Sequence, residues 1–183
     1  MPLPPPAARQ HLHTRAATYR GYLRDDGLWD IEAEMADTKT YVQPRAGDQL
    51  REAGEPIHGM AIRITLDEGM TIRAIAASMD ATPFGECRQG EDPMQKMVGV
   101  RLGPGWRQAI DERLGGVRGC THLRELLFNM ATAAYQTVFP YRQLSLKPAE
   151  VTQPPHHLDR CIAWDLQGTV VQRTYPQFAR KAA

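Results

Sequence analysis

The sequence predicts an α+β fold: an antiparallel sheet of two hairpins, helices packed on one of its faces, and a long amphipathic helix late in the chain. Three observations carry this. Two segments alternate apolar and polar residues with the period of a half-buried strand, and each adjoins an acidic turn closed by glycine. After Pro83 the apolar spacing lengthens to that of a helix. From Leu123 to Val138 the apolar residues then recur every three or four positions.

Taken in order, residues 1–10 hold four prolines among the first six positions, a composition that stays extended, and they are expected to be a disordered tail. Trp29, Ile31, Ala33 and Met35 alternate with Asp30, Glu32 and Glu34. Asp25-Asp26-Gly27 turns the chain into this strand, and a three-residue loop would set Tyr22 opposite Asp30 and Arg20 opposite Glu32, with an ion pair across the wet face. Residues 43–56, with two prolines and two glycines, read as a connecting loop. The second hairpin places Met60, Ile62, Ile64 and Leu66 on one face, turns at Asp67-Glu68-Gly69 and returns through Thr71 to Met79. His58 shares the parity of Met60, so it points to the core side.

Asp92-Pro93 starts a short helix carrying Met94 and Met97, and Gly103-Pro104-Gly105 ends it. Trp106, Ile110 and Leu114 mark a second helix, closed by Gly115-Gly116. The long helix is expected to stop before Pro140. The predicted domain thus covers residues 11–142. A linker follows over 143–158, and an extension over 159–183 returns to the domain through two short strands, Cys161 to Trp164 and Thr169 to Arg173.

Composition narrows the function. The 183 residues carry 22 Lys+Arg against 21 Asp+Glu, a net charge of +1, which gives no field to gather a polyanion, so no nucleic-acid partner is expected. No run approaches the roughly 18 to 20 apolar residues of a membrane helix, so no membrane partner is expected either. The three cysteines are odd in number and none forms a CxxC pair, which disfavours a disulfide framework or a zinc ribbon and fits a reducing cytoplasm. Nucleotide-cradling, serine-hydrolase and HExxH motifs are absent from the sequence. Oligomeric state is not legible.

The chemistry concentrates at Gly115-Gly116-Val117-Arg118-Gly119-Cys120-Thr121-His122-Leu123, where glycines deliver Cys120 and His122 to the start of the long helix. Free amides and the helix dipole there favour a thiolate. His58 opens the first strand of the second hairpin and Cys87 follows its second strand, so both are expected near that helix start. His58, Cys87, Cys120 and His122 would then form a nitrogen and sulfur set suited to Zn or Fe, acting on or binding a small acyl or aromatic molecule. Two other readings stay open. One is a metal-free enzyme with Cys120 as catalytic nucleophile and His122 or His58 as its base. The other is an accessory binding module without chemistry. The acidic row Asp30, Glu32 and Glu34, with Asp26 and Asp37, reads as a solvated strand face, and His11, His13, His156 and His157 as surface residues.

The runs Arg24-Asp25-Asp26-Gly27-Leu28-Trp29-Asp30-Ile31-Glu32-Ala33, Glu55-Pro56-Ile57-His58 and Gly119-Cys120-Thr121-His122-Leu123 resemble an uncharacterised bacterial family, domain of unknown function 2889, over about residues 11–180. Leu158-Asp159-Arg160-Cys161 is also similar to a segment of that family. The resemblance implies no activity. A second resemblance is architectural: a hairpin, a Cys after it, helices, and a Cys at the start of a long helix are similar to iron-sulfur cluster scaffold proteins. It implies ligand roles for His58, Cys87 and Cys120, and the exchange of one Cys for a His implies zinc or a mononuclear iron rather than a cluster.

Overall fold

A computed structural model describes residues 3–45, 49–144 and 147–180. The described residues form six strands: β1 (His13–Leu23), β2 (Trp29–Lys39), β3 (Gln43–Pro44), β4 (Leu50–Arg51), β5 (Pro56–Leu66) and β6 (Ile72–Ala81). Four make one antiparallel sheet in the order β1-β2-β5-β6, and β3 pairs with β4 in a separate small hairpin inside the segment expected to be a loop. The α+β class and the antiparallel sheet are as the sequence predicts.

The register of the first hairpin follows the alternation: Tyr22 stands opposite Asp30 and Arg20 opposite Glu32, with Gly27 supplying the left-handed φ of +80° that the turn requires. The ion pair differs. Arg20 reaches diagonally to Glu34 at 3.1 Å, because Glu32 is taken from the other side by Arg63 of β5 at 2.7 Å.

One face of the sheet is the core. Trp29, Ile31, Ala33 and Met35 of β2 lie beside Met60, Ile62, Ile64 and Leu66 of β5 and Ile75 and Met79 of β6, all buried. At about 1.5–3 kcal/mol for each large apolar side chain removed from water, this row dominates the stability of the sheet. It is covered by a 3₁₀ turn at Asp92–Met97, by α1 (Trp106–Leu114) and by α2 (Thr121–Arg142), which bury Met94 and Met97, then Trp106, Ile110 and Leu114, then Leu123, Leu126, Leu127, Met130, Ala134 and Val138. The Trp106 indole N–H donates to the Leu127 carbonyl at 3.1 Å, fastening α1 to α2.

Two contacts orient α2 on the sheet. Glu125 pairs with Arg15, and a Cβ on Gly21 would collide with the Thr137 side chain. Twelve helical residues rise about 18 Å and six strand residues about 20 Å, so α2 runs alongside β1 in the same direction. Its N-terminus therefore sits at the end of the sheet where β1 and β5 begin and β2 finishes. Helix α2 continues past its expected stop and contains Pro140: the missing N–H removes one bond in the last turn, while the Gln143 N–H still reaches the Phe139 carbonyl at 3.1 Å.

The chain divides into two compact units, Met1–Val138 and Phe139–Ala183. The second has its own small core of Leu158, Val171 and Tyr175, with Val151, Trp164 and Phe178 packed against it. Residues 143–158 thus contribute core side chains where a linker was expected, and 159–183 help to build this unit. The two expected strands are instead a 3₁₀ turn at Ile162–Trp164 and α3 (Thr169–Thr174). The strand preference of Val170 and Val171 is overridden because the helix puts Val171 into this core and delivers Tyr175, the residue just after it, to the same core. His157 lies 4.4 Å from the Trp164 ring and His156 3.8 Å from Phe139, centroid to centroid, and burial pushes both imidazole pKa values down; His156 is exposed, as expected of a surface residue, whereas His157 is half-buried. No helix among the described residues is long and apolar enough to cross a membrane.

Candidate metal centre

The odd positions of β2 that bury Trp29, Ile31, Ala33 and Met35 continue to Asp37, so this carboxylate also enters the core face and is 2% exposed. In the sheet register Asp37 stands directly between Arg15 of β1 and His58 of β5. Side chains opposite one another across antiparallel strands share a face, so the three form a polar row at the end of an apolar surface. Just beyond Asp37 the pairing with β5 slips by a residue, the kind of irregularity that re-aims side chains at the edge of a site.

Asp37 is the hub of the hydrogen bonds here. The Arg15 guanidinium grips it with two prongs, Nε to Oδ1 and Nη2 to Oδ2, both at 2.8 Å. His13 Nε2 donates to Oδ1 at 3.0 Å and His58 Nδ1 to Oδ2 at 2.9 Å. Arg15 above all, joined by the two imidazoles and opposed by burial, holds the Asp37 carboxyl far below the usual carboxylate range. An ionised carboxylate only accepts hydrogen bonds, so Nδ1 of His58 carries a proton and Nε2 is the ring nitrogen left to face a ligand.

His122 is the second residue of α2, and its ring lies against that of His58 with centroids 3.9 Å apart. Burial pushes the His122 pKa down, with further lowering from His58 and Arg15, partly offset by Asp37 and Glu125. A neutral imidazole offers its lone pair without first losing a proton. One turn further along, Glu125 accepts from Arg15 Nη1 at 2.5 Å, so Arg15 ties the sheet to the helix that presents His122.

Asp37, His58 and His122 can each present one ligand atom, and these atoms lie within 4.8 Å of one another. Metal bonds of about 2.0–2.2 Å put neighbouring ligand atoms about 3 to 3.5 Å apart, a contraction that imidazole rotation can supply. The structure thus brings together two of the four expected ligands, His58 and His122. Cys120 is half-buried beside them, its Sγ 3.9 Å from His122 Nδ1. Gly90 packs against it so closely that a Cβ there would lie 2.8 Å from the Cys120 Cβ. Cys87 lies in the 3₁₀ turn Gly85–Gly90, one turn before that glycine. Neither cysteine belongs to the group of three.

Sequence reasoning missed Asp37, Arg15 and His13. Asp37 was grouped with the solvated acids Asp30, Glu32 and Glu34, yet its odd number gives it the opposite parity. His13, read as a surface residue, is one of its donors.

The fold and the site define a mixed α+β domain with an Asp/His/His group where a long helix begins. Residues 13–136 match the family described as protein of unknown function (DUF2889), and the chain belongs to that family. The match runs from the first residue of β1 into α2, holds Arg15, Asp37, His58 and His122, and ends before the second unit and Cys161. No curated protein and no solved structure matches the chain. The resemblance to iron-sulfur scaffold proteins therefore finds no support.

Proposed function

We propose that the protein binds a divalent transition metal, zinc or iron(II), through Asp37, His58 and His122 and uses it on a small organic molecule. The convergence of these three side chains from β2, β5 and α2 carries this reading. Two imidazoles and one carboxylate, with positions left for a substrate or water, suit zinc or non-haem iron better than a thiolate-rich set. One Asp37 oxygen exchanges an N–H donor for the metal, and the carboxylate still contributes its charge and fixes the His58 tautomer, as in the carboxylate–histidine–metal relation that orients a ligand and raises its basicity. The cysteines are all free, which fits a reducing compartment and a cytoplasmic location.

Elemental analysis of the untagged protein tests this. Close to one equivalent of zinc or iron is expected in the wild type and less than about a tenth in His122→Ala, since loss of one of three ligands removes most of the binding free energy. Less than a tenth in the wild type, before and after incubation with either metal, contradicts it.

The 3.9 Å approach of Cys120 Sγ to His122 Nδ1 favours a second reading, a metal-free enzyme in which the neutral imidazole takes the thiol proton, Cys120 attacks the acyl carbon of an ester or amide, and the bond to the alcohol or amine breaks as His122 returns the proton to that leaving group. Alkylation of Cys120 at pH 7 faster than that of a free thiol supports it. An ordinary rate, with metal content unchanged in Cys120→Ala, leaves the metal reading alone.

A further inference from the structure

The β3–β4 hairpin and the adjoining ends of β5 and β6 wall a cleft of about 400 Å³ that carries three arginines, Arg45, Arg51 and Arg88, against two carboxylates, Glu55 and Asp80. Arg45 is paired with Glu55. Arg51 is different. It is 7% exposed, its Nε is buried without a hydrogen-bond partner, and its guanidinium has no ion pair among the described residues. The Arg45 Nε is likewise buried and unpartnered. A buried lysine could shed its proton, but a guanidinium stays charged, so the cost of holding Arg51 there is not relieved by titration.

We propose that Arg51, with Arg88 at the rim, binds the oxyanion of a small molecule, a carboxylate or a phosphate. Among the described lining residues three cations stand against two anions, an excess of one positive charge that a single bound oxyanion neutralises. The planar fork of a guanidinium matches two oxygens of either group. The cleft adjoins the Asp37 centre in the chain: Pro56, on its wall, precedes His58 by two strand residues, about 7 Å. Arg88 belongs to the 3₁₀ turn whose Gly90 packs on Cys120. A substrate of the metal centre long enough to span that separation would reach Arg51 with its oxyanion. That last step rests on the metal reading, whereas the oxyanion site does not.

The test is a titration of the full chain with inorganic phosphate and, separately, with benzoate, following the Arg Nε–H signals by NMR. At least one probe is expected to shift the Arg51 signal saturably with a Kd of about 1 mM or tighter, and which one does so separates phosphate from carboxylate. Arg51→Met is expected to weaken that binding at least about tenfold while melting at or above the wild-type temperature, since it keeps the bulk and removes an unpartnered charge. Arg51→Lys keeps the charge, loses the fork, and is expected to bind more weakly than the wild type. Non-saturating shifts with both probes up to about 50 mM, well above the expected Kd, overturn the proposal. So does equal binding by Arg51→Met, or a clear fall in its melting temperature, which would give Arg51 a structural role. His122→Ala is expected to bind the oxyanion as the wild type does, so failure of the metal site and failure of this one are read separately.

Discussion

Two buried charges stand near the same end of the sheet in opposite circumstances. Asp37 is 2% exposed and accepts four N–H bonds from Arg15, His13 and His58. Arg51 is 7% exposed, and its buried Nε has no partner. The difference separates a preorganised site from a charge that awaits its ligand. A carboxylate among donors fixes the groups around it and holds His58 in one tautomer, whereas an unsatisfied cation costs stability until a ligand arrives.

The sharpest way to break this comparison is Asp37→Ala, which strips Arg15, His13 and His58 of their common acceptor. Loss of one partner of a fully buried pair costs about 3–5 kcal/mol, and because Arg15 is partly solvated the expected loss is about 2–3 kcal/mol in urea unfolding. A loss below about 0.5 kcal/mol would show that Asp37 is not the hub. Arg51→Met should move stability the opposite way.

Gly90→Ala is expected to cost about 1–2 kcal/mol, because the added methyl must displace the Cys120 side chain or the start of α2. It should also disturb the chemical shifts of His122, which an effect confined to the 3₁₀ turn would leave alone.

The pH dependence sharpens the comparison further. Burial lowers the His122 pKa in the folded state, so the unfolded chain takes up a proton first as pH falls through about 6.5, and stability of the metal-free protein declines from there. Asp37 contributes stability present above the unfolded carboxyl value of about 3.9 and lost as pH falls towards its much lower folded value. Urea midpoints from pH 8 to 3 should show both declines. His122→Gln should shrink the first, to which the lowered pKa values of His156 and His157 also contribute, and Asp37→Asn the second. The smallest effect belongs to the exposed Arg20–Glu34 pair, where Arg20→Ala should leave the urea midpoint within error.

The alternation of Trp29 to Met35 and of Met60 to Leu66 made the sheet legible, because a one-residue slip would expose every apolar side chain. His58 was placed by the same parity. Asp37 obeyed that rule, but acidic residues next to one another in sequence were weighed by charge rather than by side, and the carboxylate at the centre of the site was set among solvated ones. Arg15 and His13 could be found only once the strand pairing put them beside Asp37. Arg51 lies in a Pro- and Gly-rich segment whose short hairpin has no periodic signal. The second unit is hidden from the sequence for a related reason: Val170 and Val171 favour a strand locally, and only packing with Leu158 and Tyr175 makes that stretch helical.

X-ray absorption at the zinc edge of the zinc-loaded protein tests the Asp37/His58/His122 centre most directly. Nitrogen and oxygen neighbours at about 2.0–2.2 Å and no sulfur are expected. A sulfur shell at about 2.3 Å would return Cys120 or Cys87 to the metal and contradict the assignment.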